Sequence, residues 1–319
     1  MQALITPSVA NRTHGHRFVL IALSLFTSIA CRSSLLLAIA MICSVFFSLQ
    51  YSPDHVAGPG GDTDPSEITF PGCSCVAASC LPGTCSCLHH GENYHHSCLK
   101  QVGQQGDYSR PVFECNAMCR CGELCQNRVV QRGLQFRLEV FKTAKKGWGL
   151  RTLDFIPNGR FVCEYAGEIL AFSEACRRIE LQTPSDSNYI IAVKEHLYQG
   201  QIIETFVDPT YVGNVGRFLN HSCEPNLVMT PVRIGSMVPK LALFAANDIC
   251  AGEELSYDYS GRSHNSPAIQ RDQKGPDQGG ELKKPCYCGA KLCAGFLPYD
   301  SSLTGPTSQM ITSGEGVAR

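Results

Sequence analysis

The spacing of the cysteines constrains this chain more than any other feature. Of its 19 cysteines, nine fall in two tight arrays, Cys73-x-Cys75-x4-Cys80-x4-Cys85-x-Cys87 and Cys115-x3-Cys119-x-Cys121-x3-Cys125. A polar stretch between them holds His89, His90, His95, His96 and Cys98. One alternative is a disulfide framework. Nine is the wrong parity for it, although adding Cys98 restores an even count. The C-x-C pairs at 73/75, 85/87 and 119/121 are more telling. They are too tight to bridge within themselves comfortably, yet both thiolates of such a pair can face one metal ion. Zinc takes four ligands in tetrahedral geometry, so three zinc ions need twelve ligand positions, and nine thiolates fill them when three of the nine bridge. The spacing therefore favours a three-zinc, nine-cysteine cluster. Beside a full cysteine set, the four histidines read as solvated loop residues.

The rest of the 319-residue chain divides sharply by composition. Residues 1–50 contain no Asp or Glu, and Arg12, Arg17 and Arg32 are their only charged residues. Residues 18–49 are almost continuously apolar, interrupted by Arg32-Ser33-Ser34. Each half is shorter than the ~20 residues a membrane-spanning helix needs. Two readings fit this segment: a membrane or signal segment, or an atypical N-terminus joined to an intracellular domain. Residues 51–70 are rich in Pro, Gly and Asp and read as an irregular lead-in. Over the whole chain 27 basic residues face 28 acidic ones. That balance argues against a nucleic-acid binder working by bulk positive charge.

The centre reads as mainly β, with short strands separated by turn residues. Strands are expected around residues 136–141, 161–165, 189–193, 205–208 and 241–245, with one short helix near 173–181. Gly147 and Gly149 flank Trp148, the only tryptophan, which suggests a tight turn where backbone comes close to something else. Two motifs carry most information: Gly216-Arg217-Phe218-Leu219-Asn220-His221-Ser222-Cys223-Glu224-Pro225-Asn226 and Gly252-Glu253-Glu254-Leu255-Ser256-Tyr257-Asp258-Tyr259. In this order, after Gly-Trp-Gly and Tyr-x-Gly-Glu, they resemble the signature of the SET-domain histone-lysine methyltransferases. The two cysteine arrays resemble the pre-SET zinc module of that family's heterochromatin-methylase group. The resemblance runs from about residue 50 to residue 303.

The resemblance implies a SET fold, small curved sheets with a pseudoknot, and transfer of a methyl group from S-adenosylmethionine to a histone-tail lysine. It places Tyr259 at the inner end of a lysine channel as the main catalytic residue, with Tyr189 lining channel and cofactor. Tyr257 holds the position where related enzymes carry Phe or Tyr and so set product degree, which implies mono- or dimethylation here. Lys146, Gly147, Trp148, Tyr189, Arg217, Asn220 and His221 are the implied cofactor-binding residues. Asn220 and His221 are adjacent, so on a strand their side chains cannot share a face.

Near the C-terminus, Cys286-x-Cys288-x4-Cys293 supplies three ligands of a tetrahedral zinc site. Cys223 is the obvious fourth, and the family's post-SET site agrees. Phe296-Leu297 would then close over cofactor and peptide. Outside residues 1–50, which hold Cys31 and Cys43, Cys98, Cys163, Cys176 and Cys250 remain, with Cys163 and Cys250 expected to be small buried hydrophobes beside strands. The expected division is an apolar segment at 1–50, a lead-in at 51–70, a pre-SET module at 71–134, a SET domain at 135–260, a linker at 261–281, a post-SET loop at 282–298 and a tail at 299–319. Ser263 to Pro267 depart from the family's apolar pattern at the start of the linker. With ligand thiols deprotonated, four zinc sites bring the net charge to about −6, which suits a basic histone tail or nucleosome better than naked DNA. The resemblance implies the nucleus and chromosome as location; a membrane enters only if residues 18–49 are an anchor. The rival function is a catalytically weak or silent SET protein that binds chromatin or peptide.

Overall fold

A computed structural model describes residues 3–5, 22–23, 49–61, 64–76, 79–100, 111–183, 186–196, 202–260 and 284–298. Among these residues no helix is long and apolar enough to cross a membrane. The linker at 261–281, with Ser263 to Pro267, the tail and most of the apolar N-terminal segment lie outside them.

The expected β-rich centre is built from ten strands: β1 (Leu138–Lys142), β2 (Trp148–Thr152), β3 (Phe161–Glu164), β4 (Gly167–Leu170), β5 (Ile191–His196), β6 (Ile202–Gly213), β7 (Asn220–His221), β8 (Leu227–Arg233), β9 (Lys240–Ala245) and β10 (Glu254–Tyr257). The helix is α1, Phe172–Glu180. They form three sheets, ordered β7-β10-β2-β1, β3-β9-β8 and β5-β6-β4, and short strands extend each. Ala3–Ile5 pairs with β1, and Ala22–Leu23 pairs with Ala3–Ile5 in turn. Many apolar positions of these strands meet in the largest core cluster, where Leu138, Leu150, Ile156, Val162, Leu241, Leu243 and Leu255 are fully buried. Fully burying such a side chain contributes roughly 1.5–3 kcal/mol.

Two expectations need correction. No strand was expected directly after 161–165, but Gly167 opens β4, which pairs antiparallel with β6. A Cβ on Gly167 would stand 2.6 Å from the Asp208 backbone carbon, so only glycine allows this approach. The lead-in is not irregular throughout. Gln50–Tyr51 pairs parallel with the end of β6, and Val56–Ala57 pairs parallel with β4. Runs of two residues are too short to show periodicity. Their strand character comes from the sheet edges they pair with.

The topology that matters for function is the parallel pairing of β7 with β10, which sets Asn220 opposite Ser256 and His221 opposite Tyr257. The two signature motifs, about thirty residues apart in sequence, become neighbours here. The pre-SET region joins the same body through Val112–Phe113, a fourth strand beside β8. Glu114 follows it and is buried. Its Oε1 accepts from the Tyr94 hydroxyl at 2.7 Å and from the Val129 and Val130 amides at 2.9 and 2.7 Å. Carboxylate–amide bonds of this kind are among the stronger ones.

Candidate active site

Tyr257 ends β10 and is buried, and the Tyr259 ring lies 4.9 Å from it, centroid to centroid. The Tyr259 amide donates to His221 Nδ1 at 3.2 Å, and its hydroxyl donates to the Leu219 carbonyl at 2.8 Å. Tyr259 is 42% exposed, so its ring borders solvent while its hydroxyl is turned inward. Tyr165 packs on the other side of Tyr257, 6.2 Å away, and its hydroxyl donates to the Tyr189 carbonyl at 2.5 Å. The Arg217 guanidinium stands 4.5 Å from the Tyr189 ring centroid. Tyr165, Tyr189, Tyr257, Tyr259 and Arg217 therefore form one connected wall. Burial, helped by neighbouring tyrosines, raises the pKa of Tyr165, Tyr257 and Tyr259. Their hydroxyls stay neutral near pH 7 and can orient an amine; they cannot serve as phenolate bases.

Arg217 makes no carboxylate ion pair among the described residues. One nitrogen donates to the Thr210 carbonyl at 3.4 Å, and its buried Nε has no hydrogen-bond partner. A buried cationic donor left open beside an aromatic wall fits a polar ligand group.

The second half of the site is built around Glu254, which the sequence reading did not single out. Its Oε2 accepts from Lys146 Nζ at 2.7 Å, and its Oε1 accepts from Asn220 Nδ2 at 3.0 Å. Asn220 also donates to the Trp148 carbonyl at 3.1 Å. One carboxylate thus holds Lys146, Asn220 and the Trp148 backbone together. The turn that delivers them closes where Thr143 takes the Gly147 carbonyl, with Gly147 at φ 76°. A Cβ on Gly147 would meet nothing within 4 Å, so its backbone lies open to a ligand. Trp148 is half-buried under the Lys142 ammonium at 5.0 Å. His221 points the other way from Asn220, toward Tyr259, Asp258 and Cys223. Burial lowers its pKa. Glu254→Ala is expected to weaken cofactor binding about tenfold, the loss of roughly 1.4 kcal/mol, with zinc content and fold unchanged. Calorimetric titration with S-adenosylmethionine checks it.

The cysteines converge as the spacing suggested. Three overlapping groups have all their Sγ atoms within 4.8 Å of one another: Cys73, Cys75, Cys80 and Cys85; Cys73, Cys87, Cys115 and Cys119; and Cys73, Cys80, Cys115 and Cys121. Cys73, Cys80 and Cys115 recur, as bridging thiolates would. Cys125 is in none of the three, but it accepts the Cys80 amide at 3.4 Å. Sγ–Sγ distances of 3.7 Å for Cys73–Cys80 and Cys80–Cys115 and 3.6 Å for Cys87–Cys119 approach the ~3.8 Å edge of a tetrahedron with Zn–S near 2.3 Å. Arg128, also missed by the sequence reading, is buried beside the cluster and reaches Cys121 Sγ at 3.5 Å. A cation there would offset the negative charge of ionised cysteine thiolates. A fourth group joins Cys223 with Cys286, Cys288 and Cys293 across the chain. His89, His90, His95 and His96 take part in no group among the described residues. Cys163 is fully buried as expected, but Cys250 is exposed: it sits at a turn before β10 rather than in the sheet. Phe296 is half-exposed, and it forms an isolated antiparallel bridge with Pro285.

The SET domain family matches residues 147–260, and the Pre-SET motif family matches residues 43–128. The chain is 67% identical over 265 residues to the rat histone-lysine N-methyltransferase SETMAR, covering 83% of this chain and 84% of that protein. This chain is a member of the SET-domain histone-lysine methyltransferase family. The human SETMAR is 69% identical over 261 residues, covering 82% of this chain, but the chain spans only 38% of that protein's length. The crystal structure of the human SETMAR methyltransferase domain superposes with a TM-score of 0.70 at 64% identity, covering 79% of this chain and 90% of that one. KRYPTONITE, solved with DNA, an H3(1-15) peptide and S-adenosylhomocysteine, matches with a TM-score of 0.60 at 30% identity, covering 79% of this chain and 48% of that one. The tyrosine wall and the Asn220–Glu254–Lys146 group meet where β7 runs beside β10.

Proposed function

We propose that this chain methylates a lysine side chain in a histone tail, using S-adenosylmethionine, and that it favours mono- or dimethylation. The observation that carries the reading is the junction of β7 and β10. It sets the tyrosine wall, suited to a lysine amine, directly against the Asn220–Glu254–Lys146 group. Lys146, Gly147, Trp148, Tyr189, Arg217, Asn220 and His221 are the residues that would hold the cofactor. Bound S-adenosylmethionine supplies a methyl group already activated by a sulfonium centre.

The chain's own residues align the amine and deliver it uncharged. Lysine has a reference pKa near ~10.4, and enclosure among aromatic rings disfavours its charged form. The Tyr259 hydroxyl orients the nitrogen and also holds the Leu219 carbonyl, whose neighbour Asn220 belongs to the cofactor side. Alignment of this kind accounts for a large share of the rate in reactions without a covalent intermediate.

The zinc reading is three ions in the nine-cysteine cluster and one held by Cys223, Cys286, Cys288 and Cys293. The partner reading is a histone tail or nucleosome, bound through backbone contacts along a sheet edge, and the location is the nucleus and chromosome. The peptide bound to KRYPTONITE supports the partner. Transfer of labelled methyl to a histone-tail peptide array tests the function; no transfer to any peptide, with cofactor bound, would favour a silent reader instead. For product degree, Tyr257→Phe removes a buried hydroxyl that can hold a water or the amine. It is expected to shift products toward higher methylation. Mass spectrometry checks this, and an unchanged methyl number would refute the role of Tyr257.

A further inference from the structure

The lead-in contains Asp54 and His55, which the methyl-transfer chemistry does not use. His55 is buried although its segment lies at the edge of the domain. Its Nδ1 accepts the Gly167 amide at 3.3 Å, so in the neutral ring the proton sits on Nε2. That Nε2 stands 3.4 Å from Glu164 Oε1, a close polar contact between two buried atoms, and the Pro239 backbone borders the same ring. Lys240 Nζ completes the group, 2.7 Å from Glu164 Oε2 and 2.6 Å from Asp54 Oδ1. Cys163, fully buried, and Tyr51 lie close to the same carboxylate.

What this group holds is the back of the tyrosine wall. Residues 164–167 lie between this His55–Glu164–Lys240–Asp54 latch and the site. The Tyr165 hydroxyl fixes the Tyr189 carbonyl, and Asn214 Oδ1 accepts the amides of Ala166 and Gly216 at 3.3 and 3.0 Å. Asn214 in turn donates to the Pro53 carbonyl at 3.5 Å, one residue before Asp54. Gly216 packs so tightly that an added Cβ would meet the Glu164 carbonyl oxygen at 2.6 Å, and Arg217 follows it. A shift of residues 53–55 therefore reaches Tyr165, Tyr189 and Arg217 through packed backbone that has little room to absorb it.

We propose that His55 is a positioning residue for methyl transfer: as a neutral imidazole between the Gly167 amide and Glu164, it pins the lead-in behind the tyrosine wall and sets the alignment of Tyr165, Tyr189 and Arg217. The inference rests on the methyl-transfer reading above. Burial and the Lys240 charge keep His55 neutral, lowering its pKa to about 4. A second ring proton would point Nδ1–H at the Gly167 N–H and break the contact.

The test compares His55→Leu, which keeps bulk but loses both polar contacts, with His55→Gln, whose amide can accept from Gly167 and donate to Glu164. The zinc-loaded full chain is used. His55→Leu is expected to lower kcat about tenfold with the peptide KM within about twofold, since the substrate groove is untouched. The Gly167 amide should exchange hydrogen about tenfold faster, with β1 and β2 protection unchanged. His55→Gln should recover most of both. Full kcat with Gly167 protection intact in His55→Leu, or equal impairment in the two variants, would overturn the proposal. If His55→Leu does not fold, His55→Asn, too short to span both partners, takes its place. If the wild type transfers methyl to no histone peptide, the functional reading fails, and Gly167 exchange still decides the latch.

Discussion

Tyr259→Phe leaves the chain folded and lowers methyl transfer by about 10²-fold or more, the scale expected when a reacting group loses its near-attack alignment. The hydroxyl removed is the one that donates to the Leu219 carbonyl at 2.8 Å. The ring contacts to Tyr257 and His221 survive the change, so the loss should fall on kcat. Single-turnover transfer of labelled methyl separates this from product release, and calorimetry should find cofactor affinity little changed. Fold is expected to hold because Tyr259 is partly exposed and its backbone amide, bonded to His221, is unaffected. A variant that keeps full single-turnover rate would remove Tyr259 from its catalytic role.

The second large effect concerns metal. Wild-type protein is expected to carry about four zinc ions, and Cys73→Ser should lose the three of the pre-SET cluster together. Cys73 recurs among the compact sulfur groups as one of the three bridging thiolates, so two of the three zinc ions would share it, and those two are tied to the third through Cys80 and Cys115. Structural zinc sites carry apparent binding energies of about 10–16 kcal/mol in small metal-dependent folds. Losing three such ions should unfold residues 71–134. Because Val112–Phe113 is a strand of the β8 sheet, the SET body should lose stability as well. Cys250→Ser is the control, an exposed cysteine outside every group, and it should keep metal and melting temperature. Elemental analysis together with thermal unfolding reads both outcomes. Retention of all zinc by Cys73→Ser would contradict the bridging arrangement, and absence of zinc from folded wild type would return the cysteines to a disulfide reading.

Much of this was legible along the chain. A thiolate pair one residue apart carries its geometry in its own spacing, so the nine-cysteine cluster could be counted before any fold was known. The strands of the SET domain showed through alternation and turn residues. The signature motifs named Asn220, His221, Tyr257 and Tyr259 because they are contiguous in sequence. Glu254 escaped notice because an acidic residue beside another acidic residue has no distinguishing pattern; only the β7–β10 pairing brings it to Asn220 and Lys146. Arg128 and Tyr165 were missed for the same reason, each taking its meaning from a partner far along the chain. Cys250 was misplaced because position beside a strand does not say which side of a turn faces water.

The sequence by itself determined the cysteine clustering and the family, because cysteine spacing and motif order are local properties that survive without tertiary contacts. The tertiary structure alone decided which residues share a site. It set one carboxylate between Lys146 and Asn220 and drew an apparently irregular lead-in onto the back of the tyrosine wall. These contacts depend on parallel pairing between distant segments and on buried charges that need partners. Both follow from how the whole chain removes its apolar surface from water.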